Sequence, residues 1–398
     1  MIIALDQALT AAVGACSLLL GAFLNRKINF LSRVCIPTPV TGGLVISTLT
    51  LALKYFAGIE FTFDKTLQDI AMLMFFTTVG FQCDFSAIKK GGRPLLVMIL
   101  LIIVLIFAQN ALSVGIASAM GLEPVFGMVA GSIPMCGGHG TAAGFNAMLE
   151  AKGIEGAASI TMATATFGLI AGSLIGGPLA EMLIRRRKLS AGKDDARSTV
   201  SLESAPEDIS GDKTRAYTNA TLWILIAMGL GALLNKALAL TGISFPTYFS
   251  SLVCAIIIRN ITECLPHNFR MPHQETTKIG SVCLALFLGM AMCSLRLWEL
   301  AGLAMPLCTM MFSQALLIFI FCTLIAFPLL GRDYNAAVLV GGLCGFGLGT
   351  TPNAMANMSA ICKKHGYSAL PFIIVPVIGA TTVDIINIAV ITLFMNFL

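Results

Sequence analysis

Across 398 residues, charged side chains make up only 11% and hydrophobic ones 57%, with a mean hydropathy of +0.88, whereas a water-soluble domain carries about a quarter charged residues. That balance excludes a soluble enzyme. The net charge of +5 is no argument for nucleic acid, because in such a chain Lys and Arg mark loop sides rather than a binding patch. The 12 Cys are scattered without a CxxC pair and the four His are dispersed without HExxH, so no cofactor is expected.

A helix rising 1.5 Å per residue needs roughly 20 mostly apolar residues to cross a hydrocarbon core of about 30 Å. Lipid offers backbone groups no hydrogen-bond partners, and the runs are too long for barrel strands, so the spans are expected to be helices. In chain order they fall near 5–24, 37–57, 69–84, 95–119, 157–184, 217–241, 246–259, 278–295, 300–327 and 369–396, ten in all. The first is followed by Asn25, Arg26 and Lys27, the reverse of a cleaved signal, and reads as a mature span. Two more apolar segments, 125–148 and 334–360, are interrupted by glycine-rich runs and read as re-entrant hairpins.

With the N-terminus outside, 20 of the 25 Lys and Arg fall on the inner side, and only Lys54, Lys65, Lys152, Lys236 and Arg296 fall outside. This split requires both broken segments to be re-entrant and leaves both termini periplasmic. The polar stretch 185–216 divides the chain into repeats, 1–184 and 217–398. At an offset of 210, Gly121, Gly131, Gly137, Thr141 and Met148 meet Gly331, Gly341, Gly347, Thr351 and Met358. Five spans per half is an odd number, so the second repeat is expected upside down. The expected fold is therefore an all-α integral membrane protein with ten transmembrane helices in two inverted five-helix repeats. Such repeats mark secondary transporters, with the cargo near the midplane where the repeats meet.

The chemistry is expected in the broken segments. In the first, from Ser132 to Asn146, the cluster Gly137, Gly138, His139, Gly140 and Thr141 lets a helix unwind, and a helix restarting near Thr141 presents its positive end to an anion. In the second, Gly345, Gly347 and Gly349 allow the turn, and Thr350, Thr351 and Pro352 suit the first turn of a new helix on which Asn353 and Asn357 share a face. One such segment is equally explained by tight helix packing, but two at equivalent places favour binding. Asp384 is the carboxylate placed within a span, with Thr381 and Asn387 a turn away on either side; together they offer oxygens to Na⁺, or Asp384 carries a proton, or it makes a structural hydrogen bond. Thr161, Thr164 and Thr166 are weaker oxygen donors, Gln109 and Asn110 read as interhelical glue, and His139 reads as a neutral hydrogen-bond donor.

GSIPMCGGHGTAAGF and CGFGLGTTPNAMANMSAI, with PTPVTGGL, GRDYNAAVL, LWELA and VDIIN, resemble the bacterial sodium/glutamate symporter family over nearly the whole chain. The resemblance implies Na⁺-driven uptake of L-glutamate or a related dicarboxylate across the inner membrane, by a homodimer in which a transport domain holding both hairpins slides against a scaffold. It carries the substrate site onto Gly137, Gly138, His139, Gly140 and Thr141, and onto Gly347, Gly349, Thr350, Thr351, Pro352, Asn353 and Asn357; Asn146 closes the first segment. Pro134 and Cys136 stand where the family's pattern leads one to expect Thr and Ser. The competing readings are a proton-coupled carrier of another organic anion, a channel, and an intramembrane aspartyl protease; the last lacks a second carboxylate and a GxGD motif.

Overall fold

The computed structural model describes residues 1–28, 31, 36–83, 92–190, 213–240, 245–263 and 272–398. Most of the expected connector 185–216 lies outside these residues, as do positions 84 and 241 at the ends of two expected spans. In chain order the helices are α1 Gln7–Lys27, α2 Thr38–Ala57, α3 Thr66–Phe81, α4 Gly92–Ala119, α5 Ser132–Met135, α6 Gly138–Ala151, α7 Ala157–Arg187, α8 Lys213–Ala239, α9 Thr247–Glu263, α10 His273–Cys293, α11 Ala304–Leu329, α12 Tyr334–Gly347, α13 Thr351–His365, α14 Ala369–Thr381 and α15 Val383–Phe397. Short 3₁₀ helices at Pro124–Ala130 and Leu297–Leu303 precede α5 and α11.

Each expected span coincides with a helix or helix pair, but among the described residues only seven are long and apolar enough to cross a bilayer, or eight if α14 and α15 count as one. The shortfall has a physical reason: α3 has 16 residues and α9 has 17, which span about 24–26 Å against a hydrocarbon thickness of about 30 Å. Three expectations need correction. The N-terminus is not helical from residue 5: Ile2–Leu5 pairs in parallel with Glu60–Phe63, and Asp6 caps α1 by accepting from the Leu9 N–H at 2.8 Å. The last span is not continuous, since α14 and α15 are bent by 47° around residues 380–382. Asp384 therefore sits in the first turn of α15, where the positive helix end favours a carboxylate, rather than mid-helix. Finally, the first broken segment restarts at Gly138, not near Thr141.

The helices pack as two groups, each drawing on both halves of the sequence. The first contains α1, α2, α3, α8, α9 and α10. Its helices approach through small residues: Gly21 lies against the Thr38 carbonyl, Gly80 against Leu252, and Gly280 against Thr78. This is how helices gain contact in lipid, where apolar burial drives nothing. The second group contains α4, the broken segments, α7, α11, α14 and α15 around a core that includes Leu105, Leu179, Ile318, Leu343 and Val375. The groups meet along a seam where Tyr248 of α9, stacked on Phe76 of α3 at 4.1 Å within the first group, takes the edge of the Phe145 ring of α6 at 6.0 Å. Gly144 admits the tyrosine ring, since a Cβ built there would lie 2.6 Å from Tyr248 Cε1.

Four of the segments expected outside, the N-terminus and those near residues 54–60, 156 and 296–299, lie together. The N-terminal ammonium donates to Gly58 O at 2.8 Å, Lys54 pairs with Glu60 at 3.2 Å and lies 3.5 Å over the Trp298 ring, and Gly156 at the start of α7 abuts Glu299. At the far end of α7, Glu181 Oε1 bridges Lys364 Nζ at 2.6 Å and Arg185 Nη2 at 2.5 Å.

Candidate functional site

The second broken segment is a helical hairpin. A Cβ on Gly345 would lie 2.7 Å from Ala354 N, one on Gly342 2.9 Å from Met358 Sδ, and one on Gly341 2.5 Å from Ile361 Cδ1, so α12 and α13 run antiparallel with almost no gap. The glycines serve both earlier readings here: they permit close packing and they allow the turn. Thr350 occupies the N-cap position of α13 in extended conformation, and Pro352 follows where its missing N–H costs nothing. The first segment is built differently. Pro124–Ala130 packs on α4, with Gly127 against Val114 and Gly131 against Asn110, and the chain then breaks at Gly138, whose φ of +60° is one that non-glycine residues rarely adopt.

The two breaks touch. A Cβ on Gly138 would lie 2.8 Å from Thr350 Cγ2 and 3.5 Å from Gly349 O. Gly138 is the first residue of α6 and Thr350 the N-cap of α13, so two helix N-termini converge, each with first-turn N–H groups that lack intrahelical acceptors. No Lys or Arg lies in either break. What this arrangement can do is hold an anion by dipoles and N–H groups.

The other expected residues surround the contact unevenly. His139 is buried with Nε2 3.0 Å from Thr166 Oγ1; that hydroxyl donates to Met162 O at 2.9 Å, which makes the imidazole the donor toward Thr166. Gly137 lies against the buried Thr141, and Gly140 opens onto the Phe75 ring at 3.5 Å. Thr351 packs on Gly379 of α14, and Gly347 O accepts from Gln109 Nε2 at 2.6 Å. Pro352 is exposed. Asn353 and Asn357 share a face, and that face is sewn to α7: Asn353 Nδ2 donates to Leu169 O at 2.9 Å, Ser173 Oγ donates to Asn353 Oδ1 at 2.8 Å, and Asn357 Nδ2 donates to Gly172 O at 3.0 Å. Their amide hydrogens are thus engaged by the protein.

Of the oxygen donors, Thr161 Oγ1 shares its one proton between Asn146 Oδ1 at 2.8 Å and Ala157 O at 2.7 Å, while Thr164 Oγ1 donates to Val129 O at 2.8 Å. Both hydroxyls keep lone pairs for a cation. Asn387 Nδ2 donates to Ser132 O at 3.1 Å, one turn along α15 from the half-buried Asp384, which pairs with no Lys or Arg among the described residues. The Thr381 side chain lies outside the described residues. Sequence reasoning passed over Tyr248 and Gln314, because an aromatic in an apolar helix and one amide in a long span carry no pattern. Gln109 and Asn110 it read as glue, which matches their place between the two broken segments.

A family model described as sodium/glutamate symporter matches residues 3–367. The sodium/glutamate symporters of Escherichia coli K12 and Shigella flexneri are each 36% identical over 397 residues, covering 98% of both chains. That of Haemophilus influenzae is 37% identical over 386 residues, covering 96% of this chain and 95% of its own. These relatives are named as symporters, not as enzymes.

Proposed function

Because the chain belongs to the sodium/glutamate symporter family, we propose that it is a secondary active transporter carrying L-glutamate with Na⁺ across the bacterial inner membrane. The observation that carries this reading is the convergence of two helix N-termini at the Gly138–Thr350 contact. Glutamate brings two carboxylates, and the site answers them with N–H dipoles and the hydroxyls of Thr141, Thr350 and Thr351 instead of a fixed cation. Neutral donors hold an anion loosely enough to release it, as each transport cycle demands. Asp384, with Asn387, Thr381, Thr161 and Thr164, offers oxygens to the coupling ion, whose charge offsets the substrate's.

The inverted repeat is supported by the element order: at an offset of 210, the helical segments of the first half match those of the second to within four residues at either end. The two packed groups support an elevator movement, in which the group bearing both breaks slides on the other along the Phe145–Tyr248 seam as part of a homodimer. Re-entry of both segments from opposite faces puts the Lys54 end, with both termini, in the periplasm and the Glu181 end in the cytoplasm. The test is uptake of radiolabelled glutamate by purified protein in liposomes. Accumulation under an imposed Na⁺ gradient is expected; accumulation under an H⁺ gradient in sodium-free buffer selects a proton-coupled carrier, and none under either removes glutamate as cargo.

A further inference from the structure

Behind the two breaks, α4 turns three fully buried polar side chains toward them: Gln109, Asn110 and Ser113. Gln109 Nε2 donates at 2.6 Å to the carbonyl of Gly347, the last residue of α12. Its neighbour Asn110 accepts from the N–H of Ser132, the first residue of α5, at 2.7 Å, and Ser113 Oγ donates to Ala130 O at 3.1 Å. A single stretch of α4 thus grips both broken segments. From the other side α11 braces that stretch, since Gln314 Nε2 donates to Gln109 O at 2.8 Å and to Ser113 Oγ at 2.7 Å.

The backbone of each segment is shaped to its grip. A Cβ on Gly131 would lie 2.5 Å from Asn110 Oδ1, and one on Gly347 would lie 2.7 Å from Leu105 Cδ2 of α4 and 2.8 Å from Ile318 Cδ1 of α11. A side chain at either place would hold the segment away from α4. Both amide bonds end on main-chain atoms, so they fix backbone position whatever side chains the breaks carry. Gly347 stands three residues before Thr350 and Ser132 six before Gly138, so the two grips set where the two helix N-termini can meet.

We propose that Gln109 and Asn110 are positioning residues for transport: by holding the Gly347 carbonyl and the Ser132 amide, they keep the Gly138–Thr350 contact assembled before the substrate arrives. They act through the backbone of the breaks, and the inference rests on the transport reading for the identity of the substrate. With either grip lost, only a fraction of the molecules keeps both helix ends together, and the apparent affinity falls by that fraction. The assembled form itself is unchanged, so the maximal rate per folded chain is kept. A purely structural role has the opposite signature, in which fewer folded chains lower the maximal rate and leave KM alone.

The experiment separates KM from maximal rate. Radiolabelled glutamate uptake into liposomes under an imposed Na⁺ gradient is titrated for wild type, Gln109→Met, Asn110→Leu and Gly131→Ala, with rates normalised to the folded protein recovered by size exclusion. The first two variants keep the side-chain volume and remove one bond each; the third leaves both amides in place and drives a methyl against Asn110 Oδ1. Each is expected to raise the glutamate KM about three- to tenfold, the worth of one interhelical hydrogen bond, with the maximal rate within about twofold of wild type. Joining Gly131→Ala to Asn110→Leu should add little to the larger single effect, because both break the same bond. Where one variant does not fold, the others carry the test. An unchanged KM, a fall in maximal rate alone, or loss of folding in all three overturns the proposal while wild-type uptake stands; no uptake by wild type removes the transport reading, and this inference with it.

Discussion

Gly138 and Thr350 come from opposite halves of the chain and lie so close that a methyl group on the first would sit 2.8 Å from Cγ2 of the second. Each ends a helix break, so the contact brings two positive helix ends together. Gly138→Ala is therefore doubly penalised: φ +60° costs a non-glycine residue about 1–2 kcal/mol, and the new methyl meets Thr350. Glutamate uptake should fall about tenfold or more, and adding Thr350→Ser, which removes Cγ2, should restore part of it. Wild-type uptake by Gly138→Ala would mean the contact has no part in binding.

Asp384 and Thr161 differ in what already holds them. The Thr161 proton is already engaged by Asn146 or Ala157 and leaves only neutral lone pairs, while Asp384 brings a charge to the first turn of α15. Asp384→Asn should raise the Na⁺ concentration for half-maximal uptake by about tenfold or more, and Thr161→Ala by about threefold or less. Na⁺ titrations of uptake at fixed glutamate decide it; equal shifts would reduce Asp384 to a packing role.

Asn353 bonds to α7 through both ends of its amide, whereas its neighbour Pro352 is exposed. Asn353→Ala removes two hydrogen bonds to α7 and should destabilise the protein by about 1–3 kcal/mol. Pro352→Ala should stay within about 0.5 kcal/mol. Thermal unfolding in detergent compares them directly, and equal midpoints would remove the α7 suture as a source of stability.

Sidedness has a chemical test. In a background without native cysteines, Lys54→Cys should react with an impermeant maleimide added to intact spheroplasts, and Lys364→Cys only after permeabilisation. Labelling of both from one side would break the topology on which two re-entrant segments depend.

Legibility followed the range of the forces involved. Gly137, Gly138, Gly347 and Gly349 stood out because a glycine cluster in an apolar run is a local signal, and helix after helix matched its expected run. The 47° bend at residues 380–382 was hidden, since a continuous apolar stretch from 369 to 396 looks the same bent or straight. Asn353 and Asn357 were seen to share a face, but that α7 lies against this face depends on residues nearly two hundred positions away. Gln109 and Gln314 carried still less signal, because an isolated amide says nothing about its partner.

By itself the amino-acid sequence determined the solvent, the helical class, the twofold resemblance between the halves of the sequence and the two glycine-rich places where helices break, because hydropathy and glycine's freedom act within a few residues of chain. Only the tertiary structure decided that the breaks from both halves meet at Gly138 and Thr350, that the helices sort into two groups drawing on both halves, and that α4 holds Gly347 and Ser132 with adjacent amides. Those outcomes depend on shape matching and hydrogen-bond pairing between segments far apart in the chain, which no local pattern encodes.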